Sequence, residues 1–192
     1  MPRPKKYLRN AITAANVKLS IKTASLVLAS STLVSALLGI FRDRLLNSMY
    51  YDTYPAGLDA YTTAFTVPDF LYFIITSGAL SVTFIPILNE RLVAKNKEEA
   101  WELSASTLNF LALLCLIASI GMMIFADPLV RYIVAPGLNE SSMSLAINMM
   151  RVIAINPFLF SISTVFNSMQ QAVGRFVFCA LSPALYNIGI II

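Results

Sequence analysis

Four ionisable side chains stand where a chain this apolar carries few: Arg42, Asp43, Asp59 and Asp69 all lie in or beside long hydrophobic runs. An ionised group at membrane depth costs about 2.5–3.5 kcal/mol on insertion scales, so its presence points to a ligand or a buried partner. Arginine suits one ligand class well, because its planar fork binds phosphate oxygens through two parallel N–H bonds and stays charged. Ser35 lies seven residues before Arg42 and shares its helix face. Gly39, between them, admits a second backbone or a headgroup. Asp43 follows Arg42 directly and is expected to point about 100° away around the helix, so the two should not face one partner. Asp59 opens the next apolar run and reads either as a helix N-cap or as part of the same polar group. Asp69 follows Pro68 inside that run and needs a partner or a water-filled cavity. The competing reading of Arg42 is a side chain that snorkels to lipid phosphates at the membrane surface.

Other chemistries are excluded by composition. The chain has no histidine, which removes the commonest general base, proton shuttle and metal ligand. Cys115 and Cys179 sit inside apolar runs and read as small buried hydrophobes. No metal-ligand spacing and no glycine-rich phosphate loop is present. The sequence therefore offers no catalytic residue, no metal site and no cofactor, and it does not read as an enzyme.

The elements that must position these residues are membrane helices. Of 192 residues 57% are hydrophobic and 12% charged, against roughly 25% charged in soluble domains. Runs near the roughly 20 residues needed to cross the hydrocarbon core recur along the chain. They predict an all-α, polytopic transmembrane helical bundle with helices at about 23–43, 59–90, 103–126, 143–171 and 176–192. Pro68, Gly78 and Pro86 should bend or break the second helix. The fourth contains Arg151 and Pro157, and the fifth is still apolar at Ile192, as a span cut short would be. The first run reads as a span and not as a cleaved signal, its main rival, since its basic leader is long and Phe41-Arg42-Asp43-Arg44 is a poor cleavage site.

Charge gives an orientation. Arg3, Lys5, Lys6, Arg9, Lys18 and Lys22 precede the first span without an acidic residue among them. A segment of residues 1–22 abutting a hydrophobic span reads as a cytoplasmic anchor against anionic lipid, with no role for nucleic acid. Arg91, Lys95 and Lys97 place the 90–102 loop inside as well, and the 127–144 loop, with one arginine, falls outside. The localisation expected is the cytoplasmic membrane, multi-pass, with the N-terminus inside. Only the short loop holding Arg42 and Arg44 breaks the pattern.

An ordered set of short motifs adds a family. These are Leu38-Gly39-Ile40-Phe41-Arg42-Asp43, Leu58-Asp59-Ala60-Tyr61, Val67-Pro68-Asp69-Phe70-Leu71, Ser77-Gly78-Ala79-Leu80-Ser81 and Phe84-Ile85-Pro86-Ile87-Leu88. Ala135-Pro136-Gly137-Leu138, Met150-Arg151-Val152, Gly174-Arg175-Phe176, Ala180-Leu181-Ser182-Pro183 and Tyr186-Asn187 follow. In order and spacing the chain resembles the bacterial MurJ/MviN lipid II flippases of the multidrug/oligosaccharidyl-lipid/polysaccharide exporter superfamily. The resemblance implies two helical lobes around a cavity, of which this chain would supply four helices and most of a fifth of one lobe. It implies translocation of an undecaprenyl-pyrophosphate-linked peptidoglycan precursor, lipid II, by alternating access. The implied partners are a lipid-linked saccharide pyrophosphate, the bilayer and the missing C-terminal helices of the same protein. Arg42 matches a cavity arginine of the family, and Asp43, Asp59 and Ser35 match neighbouring polar positions. Two further family arginines are replaced here by Ala36 and Tyr72, and a family glutamate by Ser77. Those departures leave room for an exporter of another lipid-linked saccharide, or for a membrane scaffold that does not transport.

Overall fold

The computed structural model describes residues 21–75 and 84–191. Its helices are α1 (Ile21–Tyr50), α2 (Pro55–Ile75), α3 (Ile85–Val93), α4 (Lys97–Ile124), α5 (Glu140–Ile153), α6 (Asn156–Ala172) and α7 (Val177–Ile191). A helical turn, Ala126–Pro128, runs into a π-helical turn, Leu129–Val134, between α4 and α5. Among the described residues there is no strand.

Prolines set most of the boundaries. α1 runs seven residues past the expected end at 43, because no proline or glycine interrupts Arg44–Tyr50, and Pro55 then opens α2. Gly57, in the first turn of α2, lets the Tyr54 ring lie where a Cβ would otherwise stand. The described part of the expected helix at 59–90 is two helical stretches, α2 and α3, and residues 76–83 between them lie outside the described residues. Pro86 stands in the first turn of the described helix α3. Pro68 is fully buried inside α2, which continues past it. Gly78 lies outside the described residues, as do Ser77 and the basic residues from Arg3 to Lys18. The expected helix at 143–171 is likewise two, parted at Ala154 and Ile155, with Pro157 in the first turn of α6. α4 begins earlier than expected because Asn96 caps it, accepting from the Glu99 N–H at 3.3 Å.

Among the described residues three stretches are long and apolar enough to cross a membrane: Lys22–Tyr50, Lys97–Ile124 and Glu140–Ala172. The sequence reading placed five. α7 is apolar but has 15 residues, and α2 carries Asp59 and Asp69 within its 21. Leu26, Leu33, Leu37 and Ile40 of α1 and Phe110, Leu113, Ile117 and Ile124 of α4 are all more than half exposed. In water that much apolar surface would be heavily penalised, at about 25 cal/mol per Å². In lipid it is solvated. The chain is a multi-pass α-helical membrane protein.

The helices form two compact units, one of Leu45–Phe166 and one of Met1–Arg44 with Asn167–Ile192. In the first, α2 packs on α5. Ala60 and Ala64, four residues apart and fully buried, let the backbones approach, and Met143, Ala146, Ile147 and Met150 fill the seam. Small residues at such seams gain dispersion contacts, which drive helix association where lipid tails are as apolar as the side chains. α4 buries a stripe of Ser104, Leu111, Cys115, Ser119 and Met122. Outside the spans, Arg131 bridges Glu140 at 3.1 Å and Asp127 at 3.7 Å. The Glu140 hydrogen bond and charge, aided by Asp127, hold that guanidinium above its ordinary pKa. Asn139 caps α5, accepting from the Ser142 N–H at 2.9 Å. In the second unit, the Ser31 hydroxyl of α1 donates to the Ala180 carbonyl of α7.

Candidate functional site

α1 presents Ser31, Ser35, Gly39 and Arg42 at spacings of four, four and three, which is one face of a helix. α7 answers with Ala180, Ala184 and Asn187 at spacings of four and three. The polar contacts between these faces make a small cluster centred on Asn187, which is 8% exposed.

Asn187 Nδ2 donates to the Ser35 hydroxyl and to the Ser35 carbonyl, both at 3.0 Å, and to the Pro183 carbonyl at 3.2 Å. Its Oδ1 accepts from Arg42 Nη1 at 3.2 Å. The amide has one workable orientation. Turned over, it would set its N–H groups against the guanidinium and its oxygen against a carbonyl.

Arg42 Nε and Nη2 both donate to Asp43 Oδ1, at 3.0 and 2.9 Å. Sequence neighbours were expected to diverge, and the Cα directions do. The guanidinium, at the end of a long flexible stem, folds back and meets the shorter carboxylate. The Arg42 side chain is 23% exposed and that of Asp43 61%. Of the five N–H bonds of a guanidinium, these contacts use three. Among the described residues the other two have no acceptor. Arg42 is therefore held at two points and still able to donate twice more.

The structure thus brings Ser35, Arg42 and Asp43 into one unit, with Ser35 reaching Arg42 through Asn187. Arg42 does not extend freely outward as a snorkelling side chain would. A methyl group added at Gly39 would sit 3.9 Å from Asn187 Oδ1, an ordinary contact, so closeness does not demand the glycine. Asp59 lies in the other unit, one turn inside α2, and is exposed. It is not the N-cap, because Pro55 already begins the helix. Its carboxylate makes no ion pair or hydrogen bond with a described residue. Asp69 is on the same helix and exposed, and Arg44 is exposed at the end of its unit.

Tyr72 occupies one position where the family resemblance leads one to expect arginine. Its hydroxyl lies 2.9 Å from Thr164 Oγ1 and its ring centroid 5.2 Å from that of Phe160. Ala36, at the other position, is exposed on α1. Sequence reasoning missed Asn187 as a site residue. The available signal was a lone amide in the apolar run Ser182–Ile192, the same kind of signal that singled out Asp69. No group of three His, Cys, Asp or Glu residues able to hold a metal ion occurs among the described residues.

Residues 55–192 match the family profile described as lipid II flippase MurJ. The chain is 34% identical over 163 residues to the probable lipid II flippase MurJ of Buchnera aphidicola subsp. Schizaphis graminum, covering 84% of this chain and 31% of that protein. It is 28% identical over 174 residues to the lipid II flippase MurJ of Thermosipho africanus, covering 91% and 35%. With the probable lipid II flippase MurJ of Bdellovibrio bacteriovorus it shares 28% over 172 residues, covering 88% and 32%. The chain spans about a third of the length of these curated relatives. No solved structure matches it.

Proposed function

This chain belongs to the MurJ lipid II flippase family, and we propose that it supplies N-terminal helices of a flippase for an undecaprenyl-pyrophosphate-linked peptidoglycan precursor, lipid II. The observation that carries the reading is Arg42. A guanidinium braced by Asp43 and Asn187, with two N–H donors unspent, has the donor geometry for a phosphate oxygen pair. In this reading Arg42 takes the pyrophosphate, Asp43 keeps its fork in plane, and Ser35 belongs to the same polar cluster. The polyprenyl tail stays in the bilayer. The work is carriage by alternating access, in which two helical bundles rock about one central site. The second bundle comes from further helices of the same protein. Residues 1–22 lie in the cytoplasm, as does the 90–102 loop, and the 127–144 loop lies outside.

The test is complementation of a flippase-depleted bacterium by the full-length protein. Arg42→Ala should abolish growth, and full growth with normal protein levels would remove the substrate site from this reading. Residues 1–192 alone, reconstituted in vesicles, should not flip a lipid-linked pyrophosphate, because a single bundle has nothing to rock against.

A second reading within transport is an exporter of a less anionic lipid-linked saccharide. Tyr72 favours it, since the side chain in an expected arginine's place is neutral and already hydrogen-bonded to Thr164. Binding compared between polyprenyl monophosphate and polyprenyl pyrophosphate separates the two. A preference for the monophosphate supports the second.

A further inference from the structure

The Arg42 site has an unequal pair of supports. Asp43 is mostly exposed and stands on the same helix as Arg42, so its bond to the guanidinium does not join α1 to a second helix. Asn187 is buried, comes from α7 and is itself fixed by the Ser35 hydroxyl, the Ser35 carbonyl and the Pro183 carbonyl. The rigid end of the arrangement is therefore the amide, 145 residues away in sequence from the arginine it holds.

The chemistry of that support also matters. Arg42 and Asp43 already cancel in formal charge. A second carboxylate against Nη1 would leave the cluster net negative and repel an incoming phosphate. An amide oxygen accepts the same hydrogen bond and adds no charge. Its N–H bonds to the Ser35 hydroxyl and carbonyl meanwhile tie it to α1, so that the helix carrying the arginine and the helix carrying its support keep one register.

We propose that Asn187 is the positioning residue of the Arg42 anion site, fixing Nη1 from α7 so that the two unused N–H bonds hold one orientation toward a phosphate. This rests on the reading of Arg42 as a phosphate ligand. Asn187 acts through the arginine and need not touch the substrate. Ser35 then works mainly as the anchor of Asn187, which explains why it shares the face of Arg42 without bonding to it.

The experiment is a double-mutant cycle on the full-length protein in phosphatidylcholine vesicles, titrated with undecaprenyl pyrophosphate. Asn187→Ala should weaken binding about tenfold, the scale of one hydrogen bond to a charged group. In an Arg42→Ala background the same change should do nothing further. Ser35→Ala should weaken binding by a smaller factor and add nothing to Asn187→Ala. It carries the test by itself if Asn187→Ala fails to insert, because its loss must also vanish in the Arg42→Ala background. An equal loss from Asn187→Ala with and without Arg42 would make the asparagine a structural residue and overturn the proposal. So would full affinity in Asn187→Ala while Arg42→Ala abolishes binding, and the arginine site would then survive. Unchanged binding in Arg42→Ala would remove both the site and its positioning residue.

Discussion

The Tyr72 hydroxyl lies 2.9 Å from Thr164 Oγ1, and Tyr72 is the donor. Thr164 has a single hydroxyl hydrogen, and it is engaged by the Phe160 carbonyl at 2.7 Å. The bond ties α2 to α6 inside one unit, with the tilted Tyr72–Phe160 ring pair beside it. A side chain that replaces an expected cation has thus become part of the packing.

Two substitutions follow at this position. Tyr72→Phe should cost about 1 kcal/mol, the net value of one hydrogen bond, read as a lower thermal midpoint in detergent. Tyr72→Arg and Ala36→Arg should each tighten binding of a polyprenyl pyrophosphate more than that of a monophosphate. No gain from either would mean that these positions do not reach the headgroup.

Arg42→Lys separates fork from charge. Lysine keeps the charge but replaces the planar fork with a compact ammonium that cannot hold Asp43, Asn187 and a phosphate in one plane. Arg42→Lys should therefore lose most of the activity that Arg42→Ala loses, roughly ten- to a hundredfold in headgroup binding. Full activity with lysine would favour snorkelling to lipid phosphates.

Orientation is open to cysteine labelling. An impermeant thiol reagent added from outside should reach a cysteine at exposed Ser141, just after the Asn139 cap. It should not reach one at Asn96, between α3 and α4. The opposite pattern would reverse the topology and put the N-terminus outside.

The α2–α5 seam should reject bulk. Ala64 is fully buried against α5, so Ala64→Leu must part the helices or force off-rotamer side chains, at about 1–3 kcal/mol. Thr66→Leu, on an exposed position of the same helix, is the control. Equal melting of the two variants would mean that close packing there is not needed.

Composition by itself determined that the chain is helical and lives in a membrane, because 57% hydrophobic residues with 12% charged cannot be covered by a polar surface. The residues proposed for phosphate chemistry could also be named from sequence. A lone arginine ending an apolar run stands out on cost alone, and Ser35 follows from helical periodicity. Helix ends were less legible. Pro68 is accommodated inside a helix while Pro157 stands in the first turn of one, and a proline's effect depends on whether the carbonyl one turn back had a donor to lose. Tertiary structure alone decided the partners. Asn187 meets Ser35 across 152 residues of sequence and Arg42 across 145, and no local pattern records such a pairing. Which carboxylate meets the Arg42 fork was not legible either, because helical geometry fixes where Cβ points but not where a flexible guanidinium ends. The site's residue types follow from the bilayer's dielectric, and its geometry from which helix faces meet.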